Sequence, residues 1–138
     1  MADLPDERAY NDRVNPRNAR EGVLDIGRLS AVALQRWNDA LDLNNEIVET
    51  KRRRGARPRK IAGNQFSDYL PLLQLGRLAG ADQLLRECQD IFINVSDVTQ
   101  LANVYGARAE IENKRPNPEK AANLQRTSLY LWYRNSDP

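Results

Sequence analysis

The chain has 138 residues, enough for one domain with its own core, and its 41% hydrophobic and 29% charged residues exclude a disordered polymer. Histidine is absent and cysteine occurs once, at Cys88, which removes the commonest general base, the histidine-assisted nucleophiles, the usual zinc sites and any internal disulfide. The net charge of +2 is uneven: Lys51–Lys60 holds seven of the 21 basic residues and no acid, leaving 14 basic against 19 acidic residues elsewhere.

Residues 1–14 are polar, mixed in charge and without a sustained period, and read as an N-terminal arm. The acidic start argues against a signal peptide, and no apolar run nears the roughly 20 residues that span a bilayer, so no membrane partner is expected. A helical domain is expected over 15–138. Asn15-Pro16 opens its first helix as cap and first-turn proline, and Val23, Leu24, Leu29, Val32 and Leu34 make that helix apolar on more than one side. Neighbours should therefore cover it. A second amphipathic helix carries Trp37, Ala40, Leu41, Leu43, Ile47 and Val48 and stops by Gly55, with cations in its last turn, where they suit the helix dipole.

The next helix opens near Arg59. Phe66, Tyr69, Leu70 and Leu73 follow helical spacing, but Pro71 should kink it or split it, and Gly76 should end it. Its partner runs over about 79–93 with Leu84, Leu85, Cys88, Ile91 and Phe92 inward; the lone thiol reads as a small core residue. Ser96 and Asp97 cap the following helix, lined by Val98, Leu101, Ala102, Tyr105 and Ala109. Asn117-Pro118-Glu119 opens the last, which carries Ala121, Leu124, Leu129, Leu131, Trp132 and Tyr133. No segment reads as a strand, so the class is all-α.

Ala40, Ala81 and Ala121 recur at intervals of 41 and 40 residues, each past a turn-like stretch and each followed three residues later by leucine (Leu43, Leu84, Leu124). Such a period describes one helical hairpin copied three times, over about 16–55, 59–95 and 96–134. These hairpins resemble tetratricopeptide repeats of the long-helix type found in bacterial signalling proteins. The resemblance rests on the three alanines, on Gly76 five residues before Ala81, on Trp37 and Leu78 three residues before theirs, and on Ala109 twelve before Ala121. The family's proline twelve residues past the alanine is replaced by Arg52, Ile93 and Tyr133, and the period exceeds the usual ~34 residues, which is read as a divergent member with longer helices.

The resemblance implies a right-handed α-solenoid of about three antiparallel hairpins whose first helices line a groove for a peptide or a partner domain, a scaffold of the kind built into larger signalling proteins. The carboxylate clamp of some members is not carried over, because Gly22, Gly63 and Asn103, and Asp25, Phe66 and Gly106, stand at its positions. Polar groove candidates are Asn64, Ser67, Gln74, Asn103, Glu110 and Lys114.

The leading expectation is a non-catalytic protein-interaction or assembly module of the cytoplasm, with no cofactor and no metal. The scattered glycines form no phosphate loop and no paired-carboxylate motif stands out, so an enzyme is not expected. Leu129, Trp132 and Tyr133 form a candidate docking end, where further chain, inward folding or a homodimer through the last helix could cover the apolar face. The weaker alternative is binding of nucleic acid or an anionic surface through Lys51, Arg52, Arg53, Arg54, Arg57, Arg59 and Lys60, a segment without an interleaved aromatic to stack on bases.

Overall fold

The computed structural model describes residues 16–136, with the side chains of 19–134. The expected arm and the Asn15 cap lie outside the described residues. Everything regular among the described residues is helical: α1 Pro16–Ala33, α2 Trp37–Arg53, α3 Pro58–Phe66, α4 Tyr69–Gln74, α5 Leu78–Asn94, α6 Val98–Lys114 and α7 Pro118–Ser136. No described helix is long and apolar enough to cross a membrane.

The turns repeat more faithfully than the side chains do. Five of them close with the same bond, from a backbone N–H to the carbonyl five residues earlier: Arg36 to Ala31, Ala56 to Lys51, Arg77 to Leu72, Asp97 to Phe92 and Asn117 to Glu112, at 2.8–2.9 Å. This is the six-to-one bond of a Schellman stop, which satisfies a helix-end carbonyl. The donors are spaced by 20, 21, 20 and 20 residues, half the alanine period. In all five the preceding residue has positive φ: Gln35 at 59°, Gly55 at 73°, Gly76 at 74°, Ser96 at 56° and Pro116 at 27°. Glycine adopts that conformation freely, whereas Gln35 and Ser96 hold it at a cost.

The recurring alanines are buried, Ala40 at 1%, Ala81 at 0% and Ala121 at 4% exposed, and each N–H closes the first turn of its helix at 3.0 Å, on Arg36, Arg77 and Asn117. Around Ala81 lies the densest core. Leu85, Cys88 and Phe92 of α5 meet Ala62, Leu73, Val104, Ala107 and Ile111 from the helices on either side. With α3 and α4 taken as one interrupted helix, each helix makes its principal contacts with its sequence neighbours: α1 with α2, α2 with α3 and α4, these two with α5, α5 with α6, and α6 with α7.

The split expected from Pro71 is present: the helix breaks at Ser67 and Asp68, and Pro71 itself is buried in α4. Proline cannot bond the carbonyl four residues back and its ring crowds it; that carbonyl belongs to Ser67, so the interruption precedes the proline. Two expectations need correction. Val23, Ile26, Leu29 and Leu34 are exposed, and among the described residues α1 has its principal contacts with α2. Finally, α6 buries Val104, Ala107, Ile111 and Glu112 as well as Ala102 and Ala109, since it lies between α5 and α7 and needs two faces.

Candidate functional site

The break between α3 and α4 is held from α2 by a buried asparagine. Asn44 Nδ2 donates to the Asn64 carbonyl at 2.7 Å and to Asp68 Oδ1 at 2.9 Å, while the Asn64 side-chain amide reaches Asn44 Oδ1 at 3.4 Å. Asn44 is fully buried, so these partners replace the water it has lost. Burial pushes the Asp68 carboxyl up to about 6 against the opposing pull of the Asn44 hydrogen bond and of Arg28. The network fixes which face of α3 turns outward.

That face, with the opening turns of α6, bounds a groove of about 790 Å³ lined by Arg59, Lys60, Gly63 and Asn64 on one side and Asp97, Thr99, Gln100 and Asn103 on the other. Its walls are joined at the mouth. Arg59 Nε donates to Asp97 Oδ2 at 2.8 Å, and Asp97 Oδ1 caps α6 by accepting from the Gln100 N–H at 3.1 Å. Among the described residues Asp97 is the only acid in the lining and both its oxygens are engaged, whereas Arg59 bonds it through Nε alone and Lys60 is exposed. Asn103 donates to Gln100 Oε1 at 3.2 Å, leaving its own carbonyl oxygen as an acceptor on the wall. Gly63 keeps the floor open: a Cβ there would meet nothing within 4 Å.

A second cavity of about 350 Å³ adjoins the first and shares Asn103 with it. Phe66, Tyr69 and Trp132 line it with Ala102, Gly106, Ala107, Gln125 and Ser128, none of them charged. The Phe66 and Tyr69 rings lie 5.3 Å apart at 47°, a tilted pair. Ser128 Oγ donates to the Ala102 carbonyl at 2.8 Å and ties α7 to α6, and a Cβ at Gly106 would stand 3.5 Å from that Oγ. Burial, then the nearby Glu110 carboxylate, raises the Tyr69 phenol above its ordinary range.

Of the six polar groove candidates, Asn64 and Asn103 come together across the first cavity. Ser67 sits at the α3 break, its hydroxyl 3.5 Å from the Gly63 carbonyl; Gln74 is exposed at the end of α4; Glu110 and Lys114 are exposed further along α6. The basic segment is divided. Lys51 Nζ and Arg54 Nε bind Glu21 at 3.2 and 2.7 Å, Arg59 binds Asp97, and Arg52, Arg53, Arg57 and Lys60 are exposed. At the docking end Leu129 and Tyr133 are exposed at 47% and 74%, while Trp132, 40% exposed, turns toward the aromatic cavity. Helical spacing reads Phe66 and Tyr69 as core and does not bring them to Trp132.

Cys88 is fully buried, its Sγ 3.6 Å from the Ala62 carbonyl, and burial pushes its thiol up to about 12. Both burial and the raised thiol disfavour the thiolate, the reactive form. Comparison of the chain with protein-family models, with curated proteins and with solved structures found no match.

Proposed function

We propose that the chain is a non-catalytic binding module: a right-handed stack of three helical hairpins of tetratricopeptide type that holds an extended segment of a partner protein between α3 and α6. The observation that carries this is the groove itself, where Asn64 on α3 and Asn103 on α6 face one cavity with donors and acceptors suited to a peptide backbone. The stack is supported by five turns of one geometry at half the alanine period and by principal contacts confined to neighbours.

The test uses a random dodecapeptide library displayed on phage and selected on the intact chain. Enriched peptides should lose binding to Gly63→Phe, which fills the floor of the groove where there is room for a side chain, with helical circular dichroism showing that this variant folds. Peptides that bind the variant as tightly as the parent would place binding elsewhere and refute the reading.

The alternative, binding of nucleic acid or an anionic surface through the basic residues 51–60, has less support because Lys51, Arg54 and Arg59 already close ion pairs within the fold. Self-docking of a second copy through the last helix draws on the exposed Leu129, Tyr130 and Tyr133. Light scattering at two concentrations reads it, and a dimer should dissociate on Tyr133→Glu.

A further inference from the structure

The two adjoining cavities differ in chemistry, and the difference specifies a ligand. The first is flanked by the opening turns of α3 and α6, which supply Arg59, Lys60, Thr99 and Gln100, so two positive helix ends border it. Among the described residues its lining carries Arg59 and Lys60 against Asp97, and because Arg59 and the α6 backbone engage Asp97, Lys60 is the excess positive charge. Among the described residues, the lining of the second cavity has no charged side chain and includes three aromatic ones, Phe66, Tyr69 and Trp132. Asn103 belongs to both, so an extended chain lying along α6 passes from one to the other.

Resting on the peptide-groove reading above, we infer that the partner segment is acidic and carries one large apolar or aromatic side chain. That side chain enters the Phe66, Tyr69 and Trp132 cleft, while a carboxylate meets Lys60 and the free nitrogens of Arg59. Asn103, with its side-chain carbonyl unspent, accepts from the peptide backbone between them. A single-stranded nucleic acid would offer rings and negative charge too, but every stacked base brings a phosphate that needs its own cation. The aromatic cavity supplies none, and the Glu110 carboxylate stands near Tyr69.

The composition of the enriched dodecapeptides is the direct measurement. Acidic sequences with a single Phe, Trp, Tyr or Leu are expected. A synthetic, fluorescein-labelled version of one should bind roughly tenfold more weakly when its acids become lysine, from the loss of exposed ion pairs and helix-end attraction together. The same loss should follow Lys60→Glu, and Trp132→Ala should erase the difference between the peptide and its version lacking the large side chain. Neutral or basic peptides that are enriched and blocked by Gly63→Phe would overturn the acidic inference while leaving the groove as a peptide site. Peptides indifferent to Gly63→Phe would overturn both. A labelled dodecamer of uridylate that binds more tightly than the peptide and competes with it would assign the groove to nucleic acid and refute the proposal.

Discussion

Replacing Asp68 with asparagine should stabilise the protein near neutral pH and leave it unchanged in acid. Asp68 stands at the α3–α4 break, half-buried, with Asn44 Nδ2 on Oδ1 at 2.9 Å. Burial lifts its carboxyl to about 6 in the folded state, against about 3.9 in an unfolded chain. A gap of that size corresponds to roughly 3 kcal/mol at most, and solvent screening of a half-buried group with Arg28 nearby brings it to about 1–2 kcal/mol. The sign follows from proton binding. The folded state holds the Asp68 proton more tightly than the unfolded state, so the carboxylate costs its full amount above pH ~6 and nothing below pH ~4. Asparagine at this position retains an oxygen to accept from Asn44 and never ionises. Urea unfolding of parent and Asp68→Asn, followed by circular dichroism at about pH 7.5 and pH 4, measures the difference at both ends. A gain at high pH that vanishes at low pH is expected. Parallel stability profiles, or a loss at high pH, would refute the view that Asp68 is held ionised against its surroundings.

Glu112 should behave with the opposite sign. The Asn117 amide at 2.9 Å, with Lys120 and Arg115 close by, holds its carboxyl below the usual range despite burial. Glu112→Gln should therefore cost about 1–3 kcal/mol at neutral pH, a penalty that shrinks as pH falls below ~4.3, where the unfolded carboxylate takes up its proton. At the turns, Ser96→Gly should raise the thermal midpoint and Gly76→Ala should lower it, each by about 1 kcal/mol in unfolding free energy, because both positions have positive φ. Cys88 should resist a thiol reagent such as dithionitrobenzoate in native buffer and react stoichiometrically in denaturant, given full burial and a thiol pushed up to about 12.

Helix positions were legible because caps, prolines and glycines act locally. Pro58, Gly76, Asp97 and Pro118 punctuate the chain where the helices begin or end. What sequence could not show are the choices made by partners. Asn44 lies on the same stripe of α2 as Ala40, Ile47 and Val48, where an amide looks misplaced until Asn64 and Asp68 arrive from twenty and more residues away. The two buried faces of α6 were missed for the same reason, since only packing between α5 and α7 calls for the second. In the candidate site, Asn64 and Asn103 were visible through their places in the repeat. The aromatic cavity was not, because Phe66 and Trp132 lie on α3 and α7 and no local period links them.

The order of the principal contacts also governs how the chain reaches this structure. Each helix packs on the one before and the one after, so its main contacts close loops only about one or two helices long. Small loops cost little entropy to close, and proteins dominated by such contacts fold in microseconds to milliseconds. α1 and α7 need not meet for either to form. A nucleus centred on Ala81, Leu85 and Phe92 could grow outward in both directions, one turn at a time. The reverse process begins at the rim: among the described helices α1 and α7, each in contact mainly with one other, are the first to exchange their amides with solvent.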